Sequence, residues 1–202
     1  MGENKSDKPN SDAVKDSSSQ FQNPWKTIGT ALKYANNWIR VREDQVIRPD
    51  GNPGIYGVVE TRMATAVIAL TPKREVYLVG QYRYPTKHYS WEIIEGGTEH
   101  GEEPRHAAER ELEEEAGLKA SKWCELGEPV HLSNCYTDEV GYFFLAQGLT
   151  SVPARPEGTE VLVIEKKPFS EVMAMVEDGI IKDMLTIVGI YRLERYLRKN
   201  KL

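Results

Sequence analysis

The chain has 202 residues, which is enough for one sizeable domain and a small additional unit. Its formal net charge of −5 argues against nucleic acid as an electrostatic partner. Two cysteines, Cys124 and Cys135, do not make a disulfide framework, so we expect reduced thiols in a cytoplasmic protein.

The first twenty residues are polar and charged, with no apolar run of the kind found in secretory signals. We expect residues 1–20 to form a flexible tail. The longest apolar run of the chain, residues 64–70, is far too short to cross a membrane. A membrane partner is therefore not expected.

Residues 21–62 predict a small antiparallel β domain. Apolar and polar side chains alternate along residues 38–42, and residues 49–52 (Pro-Asp-Gly-Asn) have the composition of a tight turn. Another strand is expected from residue 55 to residue 61. The domain also has a high content of large aromatic side chains, namely Trp25, Tyr34 and Trp38.

Residues 63–202 predict a second domain, in which strands and helices mix without a regular βαβ alternation. Strands are expected at residues 64–70, 75–80, 122–132, 139–146 and 160–166. One helix is expected to begin at Ser170 as its N-cap and to end near Gly179, and the last to run from Asp183 to Lys199. This mixture indicates an α+β fold (mixed α/β).

The segment from Gly96 to Leu118 has the spacing G-x5-E-x7-R-E-U-x-E-E-x-G-U, where U is a bulky apolar residue. Its local chemistry predicts a helix, because Pro104 suits a first turn and Gly117 suits the position after a last turn. An apolar stripe for the core recurs every four residues, at Ala108, Leu112 and Ala116.

Three carboxylates of this helix lie at positions i, i+3 and i+4 and crowd one arc of its surface: Glu111, Glu114 and Glu115. Like charges at this spacing repel, and a hard cation such as Mg²⁺ removes the conflict because it binds carboxylate oxygens. Arg110 is placed to brace one of them. Glycine at Gly96 lets the preceding loop turn a backbone carbonyl near Glu95 toward the metal. The alternative interpretation is a solvated acidic helix face.

The spacing is that of the Nudix box, and the chain resembles the Nudix hydrolase superfamily. Four other segments resemble its ADP-ribose and nucleoside-diphosphate-sugar pyrophosphatase branch: residues 38–44, Gln81-Tyr82-Arg83, residues 133–139 and the acidic loop 156–160. The resemblance implies a Nudix fold, with a mixed β-sheet between helices and a small N-terminal antiparallel β domain. Asn134 and Cys135 stand where this branch often has a proline. A broader preference for nucleotide sugars is therefore expected.

The reaction implied by the resemblance is the Mg²⁺-dependent hydrolysis of nucleoside diphosphate sugars, of the ADP-ribose, ADP-glucose or GDP-mannose type. The products are a nucleoside monophosphate and a sugar phosphate, and Mn²⁺ is a substitute metal. The residues that the resemblance assigns to the metal are Glu95, Gly96, Glu111, Glu114, Glu115 and Glu160. The other box residues, Glu102, Arg110 and Gly117, are expected to shape the metal-binding loop and its helix.

Three glutamates are the candidate catalytic residues. Glu157 is the candidate general base, and Glu160 and Glu115 are expected to act at the metal. The alternative for the first two is that they are exposed loop acids.

Four residues are candidates for substrate binding, and each has a structural alternative. Arg83 suits a phosphate, or else a surface ion pair. Glu139 suits a sugar hydroxyl, or else is an exposed strand residue. Trp38 or Tyr34 suits a nucleobase, or else belongs to the core.

Two other functions compete with nucleotide-sugar hydrolysis. One is a Nudix hydrolase of nucleoside triphosphates or dinucleoside polyphosphates, which does not need an additional N-terminal domain. The other is a non-catalytic Nudix-like regulator that binds a nucleotide, although such proteins usually lose box carboxylates that are all present here. We also expect a homodimer, because a β unit of about 40 residues is too small to bury a stable core alone.

Overall fold

A computed structural model of the chain describes residues 22–155 and 161–201. The elements, in chain order, are β1 (Lys26–Ala35), β2 (Arg40–Ile47), β3 (Pro53–Glu60), β4 (Ala64–Ala69), β5 (Glu75–Arg83), β6 (His88–Glu92), β7 (Ile94–Gly97), α1 (Pro104–Ala116), β8 (Leu118–Glu125), β9 (Val130–His131), β10 (Val140–Ser151), β11 (Val163–Pro168), α2 (Phe169–Glu177) and α3 (Met184–Lys199). The prediction of an α+β fold is confirmed.

The central sheet has the strand order β7-β4-β10-β8, and β9 pairs with β10. β4 and β10 are parallel, whereas β7 with β4 and β8 with β10 are antiparallel. The sheet is therefore mixed. A second sheet, with the order β11-β5-β6, is antiparallel throughout.

The core lies on both faces of the central sheet. β4 is buried at every position, and its alternate side chains enter two clusters. Ala66 and Ile68 pack with residues of α2 and α3, whereas Val67 and Ala69 pack with Ala108 and Leu112 of α1. The expected arrangement of a mixed sheet between helices is therefore present.

The N-terminal residues form a separate antiparallel sheet with the order β1-β2-β3. It meets the rest of the chain near β3, where the Tyr56 hydroxyl donates to the Cys135 carbonyl at 2.6 Å and the Thr61 N–H donates to Asp138 at 2.9 Å. The strand β1 was not expected from the sequence, because residues 26–35 do not alternate. Its side chains are almost all exposed, including Leu32.

Several predicted boundaries differ from those observed, such as the end of β10 at Ser151, and two predictions are wrong in kind. The strand expected at residues 122–132 is two strands, β8 and β9, since Gly127 takes a left-handed conformation (φ 83°) and Pro129 follows it. Ser170 is not an N-cap, because α2 begins one residue earlier with Pro168 in the capping position. The expectation for α3 is confirmed: Asp183 caps it by accepting a hydrogen bond from the Thr186 N–H at 2.6 Å.

Two further observations concern the cysteines and the helices. Cys124 and Cys135 are not joined in a disulfide. Within residues 22–155 and 161–201, no helix has the length and apolar character required to cross a membrane.

Candidate active site

The site is built on α1, whose placement follows from its sequence. Pro104 occupies the first turn, and Gly117 ends the helix in the left-handed conformation (φ 60°, ψ 42°), where its N–H donates to the Glu113 carbonyl. The apolar stripe of Ala108 and Leu112 is fully buried against the central sheet. This packing leaves the acidic arc of the helix beside β7.

Glu111 lies directly over the backbone of β7. A methyl group added at Gly96 would stand only 2.0 Å from the Glu111 carboxyl carbon, so any larger residue would displace this carboxylate. Glu115 is buried, and one of its oxygens is 3.4 Å from the Glu95 N–H. Four of the predicted metal residues, Glu95, Gly96, Glu111 and Glu115, therefore lie together.

Arg110 joins the helix to the loop that precedes it. Its Nη1 donates to Glu111 at 2.7 Å and to Glu114 at 3.0 Å, whereas Nη2 donates to the Gly97 carbonyl at 2.9 Å. Its Nε and Nη2 also donate to Glu102, which accepts from the Glu99 N–H at 2.8 Å. The Arg110 guanidinium lowers the pKa of Glu102. Glu102 thus shapes the loop in this structure.

A cavity of about 450 Å³ opens beside this acidic face. Its walls bring together residues from six segments of the chain: Trp38, Arg62, Arg83, Glu95, Gly96, Glu111, Glu114 and Glu139. The cavity thus combines carboxylates, three arginines (Arg62, Arg83 and Arg110) and one exposed indole, as an anionic ligand with a flat ring requires.

Arg83 forms an ion pair, but its partner is not at the surface. Its Nε donates to both oxygens of Glu92, at 3.0 and 3.1 Å, and the Glu92 side chain is only 3% exposed. Gln81 also donates to Glu92, at 3.2 Å. The hydrogen bonds to Glu92 fix the plane of the Arg83 guanidinium. The Arg83 side chain is itself 41% exposed at the cavity wall.

The two aromatic candidates differ in position. Trp38 is 65% exposed and lines the cavity, and the N–H groups of Trp38 and Ile39 both donate to the Asn36 side chain at 2.8 Å. Tyr34 is 54% exposed and is not among the residues that line the cavity. The alternative of a core role is therefore wrong for both.

Glu139 lies half-buried in the cavity wall, where burial and then the charge of Asp138 raise its pKa. Glu157 and Glu160 lie outside the described residues.

The side chain of Glu95 contacts α3. Its Oε1 accepts a hydrogen bond from the Thr186 hydroxyl at 3.0 Å. Burial, followed by the charge of Asp183, raises the pKa of Glu95 well above its ordinary value. The backbone of Glu95, by contrast, faces α1, since its N–H lies 3.4 Å from a carboxylate oxygen of Glu115.

Three residues of the site were missed by sequence reasoning. Arg62 lines the cavity and donates to the Asn37 carbonyl at 2.8 Å, beside Trp38. Glu92 holds Arg83, and Thr186 holds Glu95. Glu92 could have been suspected, since it is an acid between the apolar residues Trp91 and Ile93; the other two carry no local pattern in the sequence.

The donor set fits a hard divalent cation, because it consists of carboxylate and carbonyl oxygens without sulfur or imidazole. In the described part of the chain, no three acidic, histidine or cysteine side chains converge into a complete metal site. Arg110 instead bonds to both Glu111 and Glu114. The metal assignment therefore stays a prediction, which the close approach of Glu111 and Glu115 to β7 supports.

Comparison with known proteins agrees with this geometry. Residues 60–183 match the model of the NUDIX domain, and residues 25–59 match that of the nucleoside diphosphate sugar hydrolase N-terminal domain. The chain therefore belongs to the Nudix family.

Curated relatives place the chain more narrowly. It is 30% identical to an ADP-ribose pyrophosphatase of Bacillus subtilis (84% of this chain, 92% of the relative) and 31% identical to one of Mycobacterium tuberculosis (84% and 83%). A methanol dehydrogenase activator of Bacillus methanolicus is also 30% identical (84% and 92%). The chain is a Nudix pyrophosphohydrolase of the ADP-ribose pyrophosphatase branch.

A solved structure shares the fold. The crystal structure of an ADP compounds hydrolase superposes with a TM-score of 0.78 at 19% identity, over 87% of this chain and 95% of that one.

Proposed function

We propose that this enzyme hydrolyses the pyrophosphate bond of nucleoside diphosphate sugars, of the ADP-ribose, ADP-glucose or GDP-mannose type, in a Mg²⁺-dependent reaction. The products are a nucleoside monophosphate and a sugar phosphate. One observation carries the proposal: a single cavity is lined by the box carboxylates Glu111 and Glu114, by three arginines and by the exposed indole of Trp38. These groups suit the metal, the two phosphates and the base of such a substrate.

The metal would be held by Glu111, Glu115 and Glu114, with a backbone carbonyl at Glu95 or Gly96. When bound, Mg²⁺ neutralises phosphate charge and activates water. Arg110 donates hydrogen bonds to Glu111 and Glu114, so it holds these two carboxylates beside the proposed metal position.

The substrate is expected to be oriented by other residues that line the same cavity. Arg83 is held in plane by the buried Glu92, so it can donate to a phosphate without losing its position. Trp38 offers a flat face to the base. Glu139 is placed to accept a hydrogen bond from a sugar hydroxyl.

We take the proposed general base from the acidic segment at residues 156–160. A carboxylate on a loop can accept the proton of the attacking water once substrate and metal are bound. We assign this role to Glu157, and we assign a metal contact to Glu160. Glu157→Gln and Glu160→Gln should lower kcat more than they raise KM. A pure KM effect in both variants would move the base elsewhere, with Glu139 next in line.

We further propose that the enzyme is a homodimer and that residues 21–62 form a unit serving dimerisation and substrate binding. The support is physical, because the N-terminal sheet carries exposed apolar side chains at Ile28, Leu32 and Ile55. A second copy that covers them would bury area of the kind found in obligate interfaces. The two unbonded cysteines favour a cytoplasmic location.

The competing functions predict different products or none. A triphosphate or dinucleoside polyphosphate hydrolase would not turn over nucleotide sugars. A regulator without catalysis would not turn over any nucleotide, and the box carboxylates, all present, argue against it. The activator among the relatives makes this alternative worth testing.

The deciding experiment is a substrate panel with Mg²⁺ and with Mn²⁺. It contains ADP-ribose, ADP-glucose, GDP-mannose, UDP-sugars, dinucleoside polyphosphates and nucleoside triphosphates. We expect AMP and a sugar phosphate from the ADP-sugars, and a reaction in ¹⁸O-water followed by mass spectrometry locates the attacked phosphorus. Orthophosphate or pyrophosphate as the main product would refute the proposal.

A further inference from the structure

Thr186 is a fully buried polar residue in the first turn of α3, and it does not line the cavity. Its hydroxyl makes two hydrogen bonds to the segment that leads into the box. It accepts from the Ile93 N–H at 3.0 Å and donates to the Glu95 carboxylate at 3.0 Å. Both groups of one hydroxyl, donor and acceptor, are therefore used on a single short segment.

Close packing also holds α3 against the segment that contains Ile93. A methyl group added at Gly189 would stand 2.9 Å from Cδ1 of Ile93 and 3.4 Å from Cδ1 of Ile68. Asp183 fixes the first turn of α3 by capping the Thr186 N–H at 2.6 Å. Since α3 is anchored in the core by Ile190 and Leu193, both fully buried, it forms a rigid support for residues 93–95.

The supported segment continues directly into the acidic site. The Glu95 N–H faces the buried Glu115 at 3.4 Å, and the next residue, Gly96, lies under the Glu111 carboxylate. A shift of β7 would therefore move the backbone against which both carboxylates are set.

We propose that Thr186 is a positioning residue for the metal-binding carboxylates. It acts through Ile93 and Glu95, it touches neither substrate nor metal, and the inference rests on the proposed metal-dependent hydrolysis. Supporting groups of this kind commonly change metal affinity or activity by about 10- to 100-fold when they are removed.

The test compares two substitutions at this position in the full chain. Thr186→Val keeps the shape of the side chain and loses both hydrogen bonds, whereas Thr186→Ser keeps the hydroxyl. We expect Thr186→Val to lower kcat by about 10- to 100-fold and to raise the Mg²⁺ concentration for half-maximal activity, with KM for the sugar substrate changed by less than about threefold. The Thr186→Ser variant should have a kcat within about threefold of that of the original chain.

A matched control separates positioning from general loss of stability. Ile190→Val weakens the packing of the same helix without removing a hydrogen bond to residues 93–95, so it should leave kcat and metal affinity unchanged. Equal losses of kcat in Thr186→Val and Ile190→Val would overturn the proposal, and so would a Thr186→Val enzyme with unaltered kcat.

Metal binding without substrate provides a second measurement. Titration of the protein with Mn²⁺, followed by electron paramagnetic resonance, should show a raised Kd for Thr186→Val and a normal Kd for Thr186→Ser. This measurement tests the role of Thr186 even if the substrate panel finds no nucleotide-sugar hydrolysis. Should Thr186→Val not fold, Glu95→Met removes the same bond from the other side and should raise the Mn²⁺ Kd. A normal Kd in Glu95→Met would contradict the proposal.

Discussion

The central sheet and the N-terminal sheet of this enzyme are built from strands of opposite character. All six positions of β4 are buried between α1 on one face and the α2–α3 pair on the other. By contrast, nine of the ten positions of β1 are exposed, and its apolar residues Ile28 and Leu32 contribute little to any core within one chain. The difference shows that the box carboxylates are held by tertiary packing, whereas the aromatic side of the cavity depends on a sheet with uncovered apolar faces.

The largest expected effect concerns the carboxylates of α1, which packs against the central sheet. Glu111→Gln and Glu115→Gln should each lower kcat by roughly a thousandfold or more, because each removes a charge that the metal requires. Glu113→Gln is the matched control, since Glu113 pairs with Lys119 and does not line the cavity. Steady-state kinetics at saturating Mg²⁺ measures all three. Activity close to that of the control in the first two variants would remove the metal site from α1.

The second prediction compares how much the core beside the central sheet and the N-terminal sheet each contribute to the free energy of unfolding. Leu112→Ala deletes a fully buried side chain and should lower the free energy of unfolding by about 2–5 kcal/mol. Leu32→Ala deletes a side chain that is 53% exposed and should cost about 0.5 kcal/mol or less in the monomer. Urea denaturation at low protein concentration compares the two. Similar losses would mean that the N-terminal sheet is covered within a single chain.

The sequence predicted the helix α1 far better than the residues that support the site. Spacing fixes α1, because Pro104, Gly117 and the stripe of Ala108 and Leu112 all act within one helix. The supports of the site could not be predicted in this way. Thr186 and Glu95 are 91 positions apart, and Arg83 and Glu92 meet only because β5 pairs with β6.

The third prediction sharpens the role of the exposed sheet. Trp38→Ala should raise KM for nucleotide sugars by about 5- to 100-fold with a smaller change in kcat, because it removes a stacking face from the cavity. Tyr34→Ala is informative beside it, since Tyr34 does not line the cavity within one chain. A raised KM in both variants would fit a contribution of Tyr34 from a partner subunit, or its hydrogen bond with Asn36, which accepts from the Trp38 N–H in the same chain. Light scattering on the same samples tests dimerisation, and a fully active monomer would rule out the shared site.

The smallest expected effect concerns the loop before α1. Arg110 lowers the pKa of Glu102, so this carboxylate stabilises the fold above its unfolded pKa, and that stabilisation is lost as pH falls through the folded pKa. Glu102→Gln should cost about 1 kcal/mol or less at pH 7, and the difference from the original chain should shrink below about pH 4. Urea denaturation at several pH values measures it. A difference that is constant with pH would show that the Glu102 charge is not responsible.

The parallel pairing of β4 with β10 has a consequence for biosynthesis. Ala64 is paired with Gly141, so the ribosome must synthesise α1 and β8 before β4 finds its parallel neighbour β10, whereas its antiparallel neighbour β7 emerges earlier. The three strands of the N-terminal sheet are joined by short turns and can assemble as soon as they emerge. We expect the nascent chain to expose the apolar strand β4 for much of its translation, which makes this segment a natural point of contact for chaperones and the first place where aggregation begins.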